Sequence, residues 1–268
     1  MNSTPTPPTQ PPLLVTGGTG QLGRLVVAEL LRQQIEVRVL TRRPPTDLPP
    51  LGLTYAVGDL ITGVGLAEAL RGVGTVIHAA HDPSDPVQDV SATRNLLQAC
   101  RDSGSPPPAV LYVSIVGAAR ATAFGYYAGK VRGEALVQSS GLPHLIFRAT
   151  QFQEFVAEVL GGLTRWPLVP LLPGQLQPVA AADVAAVLAD HALRGTRGEV
   201  EVAGPQVLTL PELTRTWLAA HHQRKLLLPL PFSPPHPFLQ AIGRGVLTAP
   251  LAAYPGRTWA NFLRESTR

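Results

Sequence analysis

Short apolar runs alternate with amphipathic stretches through the first half of the chain. Leu13–Thr16, Val37–Leu40, Leu53–Val57, Thr75–Ala80, Ala109–Ser114 and Leu142–Phe147 are brief and almost continuously apolar. Runs of that kind read as strands buried on both faces. Between them the apolar positions fall at helical spacing. Leu22, Leu25, Val26 and Leu30 share one face after the first run, and helices are predicted around Leu66–Leu70, Val87–Cys100 and Tyr126–Ser139. Breakers stand at the joints: Gly17-Gly18-Thr19-Gly20, the Pro-rich loop after Arg42-Arg43, and Ser103–Pro108. Strand–helix alternation of this sort predicts an α/β fold, a parallel sheet with helices on both faces, doubly wound by right-handed crossovers.

Beyond Arg148 the rhythm changes. Helices are predicted at Phe152–Leu163, Ala181–Leu193 and Leu210–Ala220, with a Pro-rich stretch from Pro167 to Pro178 and a short strand at Glu199–Ala203. Thr209 followed by Glu212 has the spacing of a capping box that would open the third of these helices. The expected division is a disordered leader at 1–12, a nucleotide-binding core at 13–150 and a small C-terminal α/β lobe at 151–268, packed on the core as one unit and closing over the sheet's carboxyl edge. Gln151, Phe152 and the Pro167–Pro173 segment would line its substrate side.

The first strand–turn–helix joint carries the clearest chemistry. Gly17, Gly20 and Gly23 are spaced Gly-x-x-Gly-x-x-Gly, with Thr19, Gln21 and Leu22 between them. Glycines there let a diphosphate approach the backbone, and the helix N-terminus aims free N–H groups and its positive dipole end at the anion. In that context the motif points to a dinucleotide site of Rossmann type. Where an NAD site carries an acid at the end of the second strand, this chain reads Leu40-Thr41-Arg42-Arg43. Arg42 and Arg43 suit a 2′-phosphate, which favours NADP(H) over NAD(H). Asp59, after the third strand, is either an acceptor for the adenine amino group or a turn cap. Ala79, at the end of the fourth strand, would border the same pocket.

Composition changes this picture little. The chain has 268 residues and 45% hydrophobic content, enough for one sizeable core, with 15% charged residues and a net charge of +4. The basic residues are dispersed singly or in pairs, so the clustered face that nucleic acid requires is missing. Cys100 is the one cysteine and falls in an apolar helical pattern, which predicts buried packing. His78 and His81 lack a third partner at metal-ligand spacing and read as pocket walls or turn residues. No apolar run approaches the length of a membrane span, and the start of the chain lacks the features of a signal peptide. The expectation is a cytoplasmic protein acting on a small molecule, with no membrane or nucleic-acid partner.

Several segments together resemble the atypical short-chain dehydrogenase/reductases, most closely their NmrA-like, NAD(P)H-binding branch. They are Thr16–Gly23, Val57-Gly58-Asp59-Leu60, Val113-Ser114-Ile115-Val116-Gly117, Gly141-Leu142-Pro143 and Phe147–Phe152. The likeness runs from about Leu13 to at least Gly204. It implies a Rossmann core with a small C-terminal substrate lobe, and NADP(H) more often than NAD(H). It also implies either a reductase of quinones and related compounds or a non-catalytic sensor of the cofactor's redox state.

Tyr126 and Lys130 stand one helical turn apart on a shared face, and Lys130 and Lys225 are the only lysines in an Arg-rich chain. Their spacing is similar to the Tyr-x-x-x-Lys pattern of the wider dehydrogenase superfamily. That resemblance implies that Lys130 bonds the nicotinamide ribose and lowers the pKa of the Tyr126 hydroxyl, the general acid or base, while Ser114 orients a carbonyl. Tyr127 competes with Tyr126 for the role. The leading expectation is an NADP(H)-dependent oxidoreductase acting on a small carbonyl or quinone. The alternatives are a cofactor-binding regulator that works through a protein partner and, less favoured, a sugar-nucleotide epimerase or dehydratase, whose substrate lobe is usually longer and whose Ser-to-Tyr gap is usually wider.

Overall fold

A computed structural model describes residues 11–232 and 235–266, so nearly all of the expected leader lies outside the described residues. Seven parallel strands form the main sheet: β1 (Leu13–Thr16), β2 (Val37–Thr41), β3 (Leu53–Val57), β4 (Thr75–His78), β5 (Ala109–Ile115), β6 (His144–Ala149) and β9 (Gly198–Val202). Their order is β3-β2-β1-β4-β5-β6-β9, so the winding reverses between β1 and β4. A crevice opens beyond the carboxyl ends of the strands at such a switch point, and ligands bind there.

Helices cover both faces. On one side α1 (Gln21–Arg32) packs with α6 (Ala181–Leu193), and Val26, Leu30, Val184 and Leu188 share a core with Val15, Ile77, Leu111 and Phe147. On the other lie α2 (Leu66–Ala69), α3 (Pro86–Asp102) and α4 (Gly125–Gln138), where Leu66, Leu96 and Val137 meet Leu14, Val76, Val110 and Ile146. Cys100 is in this second core, as its apolar helical setting predicts, and burial pushes its thiol up to about 12. Alternate residues of each strand therefore feed opposite cores, which explains the continuous apolar runs.

The chain beyond residue 150 contributes to the sheet layers as well as to the lobe. After α5 (Gln153–Leu163) the chain leaves the sheet and then returns to it: α6 joins the α1 layer, and β9 extends the sheet beyond β6. Residues 181–202 thus belong to the core layers. A third core forms the lobe, from α5, α7 (Leu210–Ala220), α8 (Pro237–Gly243) and α9 (Trp259–Ser266), around Leu160, Leu213, Ile242, Trp259 and Phe262. Thr209 and Glu212 form the predicted capping box at α7. Two small sheets escape the sequence pattern. β7 (Leu168–Leu171) pairs in parallel with β11 (Leu226–Pro229), and β8 (Gln175–Leu176) pairs antiparallel with β10 (Leu208–Thr209).

Candidate cofactor and active site

The glycine turn leaves β1 at the switch point and faces the end of β4. Gly17 has φ +70°, and a Cβ on it would sit 2.6 Å from the Ala80 backbone nitrogen. Only glycine fits there, because the conformation is left-handed and the β4 exit presses on it. A Cβ on Gly23 would drive into the Gly17 carbonyl oxygen, so this residue lets α1 close on the turn. Gly20 is different: it is exposed, and its Cβ would meet nothing closer than the Gly17 oxygen at 3.2 Å. The space above Gly20 is therefore open on the side where a diphosphate would lie.

The start of α1 is equally suited to an anion. No side chain caps it and no acid stands in its first turn. The first N–H with an intrahelical acceptor is that of Arg24, to the Gly20 oxygen at 3.0 Å, which leaves those of Gln21, Leu22 and Gly23 outside the ladder. Thr19 and Gln21 are exposed beside them, while Leu22 is buried and anchors the helix. The turn therefore fits a pyrophosphate by space, by donors and by charge.

Arg42 and Arg43 lie just past β2, both exposed, and neither guanidinium is engaged in an ion pair among the described residues. Asp59 uses one carboxylate oxygen to accept from the Ile61 N–H at 2.7 Å, so it caps the turn after β3. Ala79 leaves β4 with its N–H donating to the Thr16 carbonyl at 3.2 Å. His78 is a buried bolt rather than a pocket wall. One ring nitrogen pairs with the Thr16 hydroxyl at 2.7 Å and the other with the Thr93 hydroxyl at 3.1 Å, and burial pulls its pKa down to about 3. The imidazole stays neutral and ties β1, β4 and α3 together.

Contacts lead from the glycine turn to the predicted catalytic pair. Gly17 abuts Ala80, His81 follows, its ring lies 5.8 Å from that of Tyr126, and the Lys130 ammonium lies 5.9 Å from the Tyr126 ring centre. Lys130 is buried. Its Nζ donates to the Val113 carbonyl at 3.1 Å and sits 5.0 Å over the Tyr112 ring. Burial lowers its pKa, while the nearby Asp89 and Glu134 carboxylates oppose that change. Asp89, itself buried on the first turn of α3, is raised by burial and accepts from the Asp82 N–H at 3.2 Å.

Two features of this set bear on the roles that the resemblance implies. Burial first, and then the charge of Asp89, push the Tyr126 hydroxyl above its ordinary range. Lys130 is committed to the Val113 carbonyl and the Tyr112 ring rather than to that hydroxyl. Ser114 is buried, and its hydroxyl donates to Glu134, so in this arrangement it offers no proton to a carbonyl in the cleft. Glu134 in turn accepts from Arg148 through both oxygens, at 3.0 and 2.6 Å, and Arg148 reaches Glu199 at 2.7 Å. This chain of charges from α4, β6 and β9 went unread in the sequence. Its one local signal is that Glu134 stands a turn beyond Lys130.

On the other side of Tyr126 the lobe supplies aromatic rings. Phe124 stands 6.3 Å from Tyr126, 5.1 Å from Tyr127 and 5.5 Å from Phe238 of α8, and Phe238 stands 6.3 Å from Phe155 of α5. Gln151 reaches the Tyr127 hydroxyl at 3.3 Å, which commits Tyr127 to the interior and leaves Tyr126 as the partly exposed member of the pair. Phe152 packs toward the α1–α6 core instead of the cleft, and the Pro167–Pro173 segment is largely taken up by β7.

A family model described as NAD(P)H-binding matches residues 17–193. A 3-beta-hydroxysteroid dehydrogenase of Mycolicibacterium neoaurum is 42% identical over 69 residues, which are 25% of this chain and 19% of that protein. The chain spans about a third or less of the first curated relatives that it matches. Among solved structures, an NADPH-dependent quinone oxidoreductase of Escherichia coli, complexed with NADPH, superposes with a TM-score of 0.82 at 20% identity, over 96% of this chain and 100% of that one. A nucleoside-diphosphate-sugar epimerase of Staphylococcus aureus gives 0.80 at 16%, over 94% and 99%. Likeness at those identities shows a shared Rossmann-type fold.

Proposed function

This chain belongs to the NAD(P)H-binding family, and from that premise we propose that it is an NADP(H)-dependent reductase of a small apolar carbonyl or quinone. The observation that carries the reading is the convergence of the glycine turn, the β4 exit and the Tyr126–Lys130 pair on one sheet edge. The bound nicotinamide would supply a hydride. Around it, Gly17–Gly23 hold the pyrophosphate, Arg42 with Arg43 bind the 2′-phosphate, and Asp59 and Ala79 border the adenine and nicotinamide sides. Lys130 holds the ribose. Tyr126 gives a proton to the developing alkoxide, and a hydroxyl with a raised pKa keeps that proton until the oxyanion forms. Ser114, Glu134 and Arg148 position α4 beneath the pair. Phe124, Phe155 and Phe238 give the substrate side an apolar wall of tilted and edge-on rings.

Ser114's engagement with Glu134 favours one second reading, a regulator that binds NAD(P)H and acts through a protein partner. Loss of NADPH absorbance with a panel of aldehydes, ketones and quinones separates the two. The reductase reading requires turnover of at least one of them. Tight NADPH binding with no turnover across the panel gives the regulator the lead, and sugar nucleotide retained through purification points to an epimerase.

A further inference from the structure

The ribbon formed by β7 and β11 has an outer face of the wrong character for contact with water. Its register pairs Leu168 with Leu226, Val169 with Leu227, Pro170 with Leu228 and Leu171 with Pro229. Val169 and Leu171 are buried against the lobe. The alternate positions Leu168, Pro170, Leu226 and Leu228 face outward, where a solvated sheet face carries polar residues. Leu226 is 72% exposed, and Trp166, two residues before β7, is 67% exposed. Phe232, shortly beyond β11, is exposed as well. A cluster of large apolar groups of this kind marks an interaction site.

Charge identifies what covers it. Because the ribbon is parallel, both strands begin at one end, and there the chain places Arg165 beside Trp166, and Arg224 and Lys225 beside Leu226. None of these three cations has an ion-pair partner among the described residues. Acids are absent from the whole of 159–182 and 213–264, so Glu158 and Glu212 are the nearest carboxylates before each strand. Leucines on a flat face, a tryptophan at the border and cations along one end match the apolar zone, interface and headgroups of an anionic lipid surface.

We propose that the outer face of the β7–β11 ribbon docks the protein on an anionic membrane surface. No helix among the described residues is long and apolar enough to cross a membrane, so the contact is peripheral. This revises the sequence expectation of no membrane partner, and it stands independently of what the cofactor site reduces.

Trp166 provides the probe, since Trp259 is buried and Trp217 is partly buried, stacked on His221. The protein is mixed with vesicles of phosphatidylcholine alone or containing phosphatidylglycerol, and is followed by co-sedimentation and tryptophan emission. The proposal predicts pelleting and a blue shift with the anionic vesicles, both weakened by salt. Trp166→Phe abolishes the shift but not the pelleting. Arg224→Gln with Lys225→Gln weakens binding about twenty-five-fold, at roughly fivefold per cation, and Leu226→Asn with Leu228→Asn reduces it as well. Unchanged melting and NADPH affinity show that these surface variants remain folded. Failure to pellet with anionic vesicles overturns the proposal, as does pelleting that both pairs of substitutions leave unaltered. A dimer in sedimentation velocity that the Leu226/Leu228 variant dissociates also overturns it, because the face would then belong to a second copy.

Discussion

Gly20 and Gly23 are three residues apart in one motif, yet they answer to different forces. Gly23 is needed by the fold, since its Cβ would collide with the Gly17 carbonyl, whereas Gly20 borders open space. Gly20→Val should leave the melting temperature within a few degrees of wild type and abolish NADPH binding measured by calorimetry. Gly23→Ala should lower stability first, in thermal unfolding without ligand. The opposite pattern would mean that the cradle has been read backwards. At the neighbouring strand, Arg42→Asp should cost about 1.5–3 kcal/mol of NADPH affinity, roughly ten- to a hundredfold, while NADH binding holds or improves. A wild-type protein that already prefers NADH would refute the 2′-phosphate assignment.

Elements meet at the site through polar bolts that short-range patterns do not reveal. His78 on β4 bonds Thr16 on β1 and Thr93 on α3, and burial holds its pKa near 3. A histidine whose folded value is depressed stays neutral in the native state and charges more readily when unfolded. Its contribution is therefore complete above the unfolded value of about 6.5 and is lost as pH falls toward 3. Between pH 7 and 4.5 this one group should remove about 2–3 kcal/mol of stability. Denaturant titrations of wild type and His78→Asn should show the variant weaker at pH 7 but with a flatter pH dependence over that range. Parallel slopes would show that His78 is not the source. The core strands were legible as apolar runs because those inside the sheet are buried on both faces, whereas β3, at the edge, is buried only at Leu53. The glycine turn was legible because its donors and its space are local. The bolts were not, since Glu134, Arg148 and Glu199 come from α4, β6 and β9. The β7–β11 and β8–β10 pairs were hidden for the same reason, being two to four residues long and paired with distant chain.

Over the whole molecule, the sheet edge brings the glycine turn, Lys130 and Tyr126 to one place, and α8 of the lobe brings Phe238 to the rings beside them. The NAD(P)H-binding family match, residues 17–193, ends with α6, the helix that returns to pack on α1. Asp183 of α6 accepts from the Arg257 N–H at 2.8 Å, which ties the lobe to the core layers. The Ser114 hydroxyl is engaged by Glu134 on α4, and the proposed mechanism has Tyr126 as its proton donor. The most direct measurement is the rate of NADPH-dependent reduction of an aldehyde or ketone by wild type and by Tyr126→Phe, with NADPH affinity determined for both. Quinones are unsuitable here, because their reduction needs less help from an acid. The account predicts a rate lower by about 10²–10⁴-fold in the variant at unchanged cofactor affinity, and equal rates in the two proteins would contradict it.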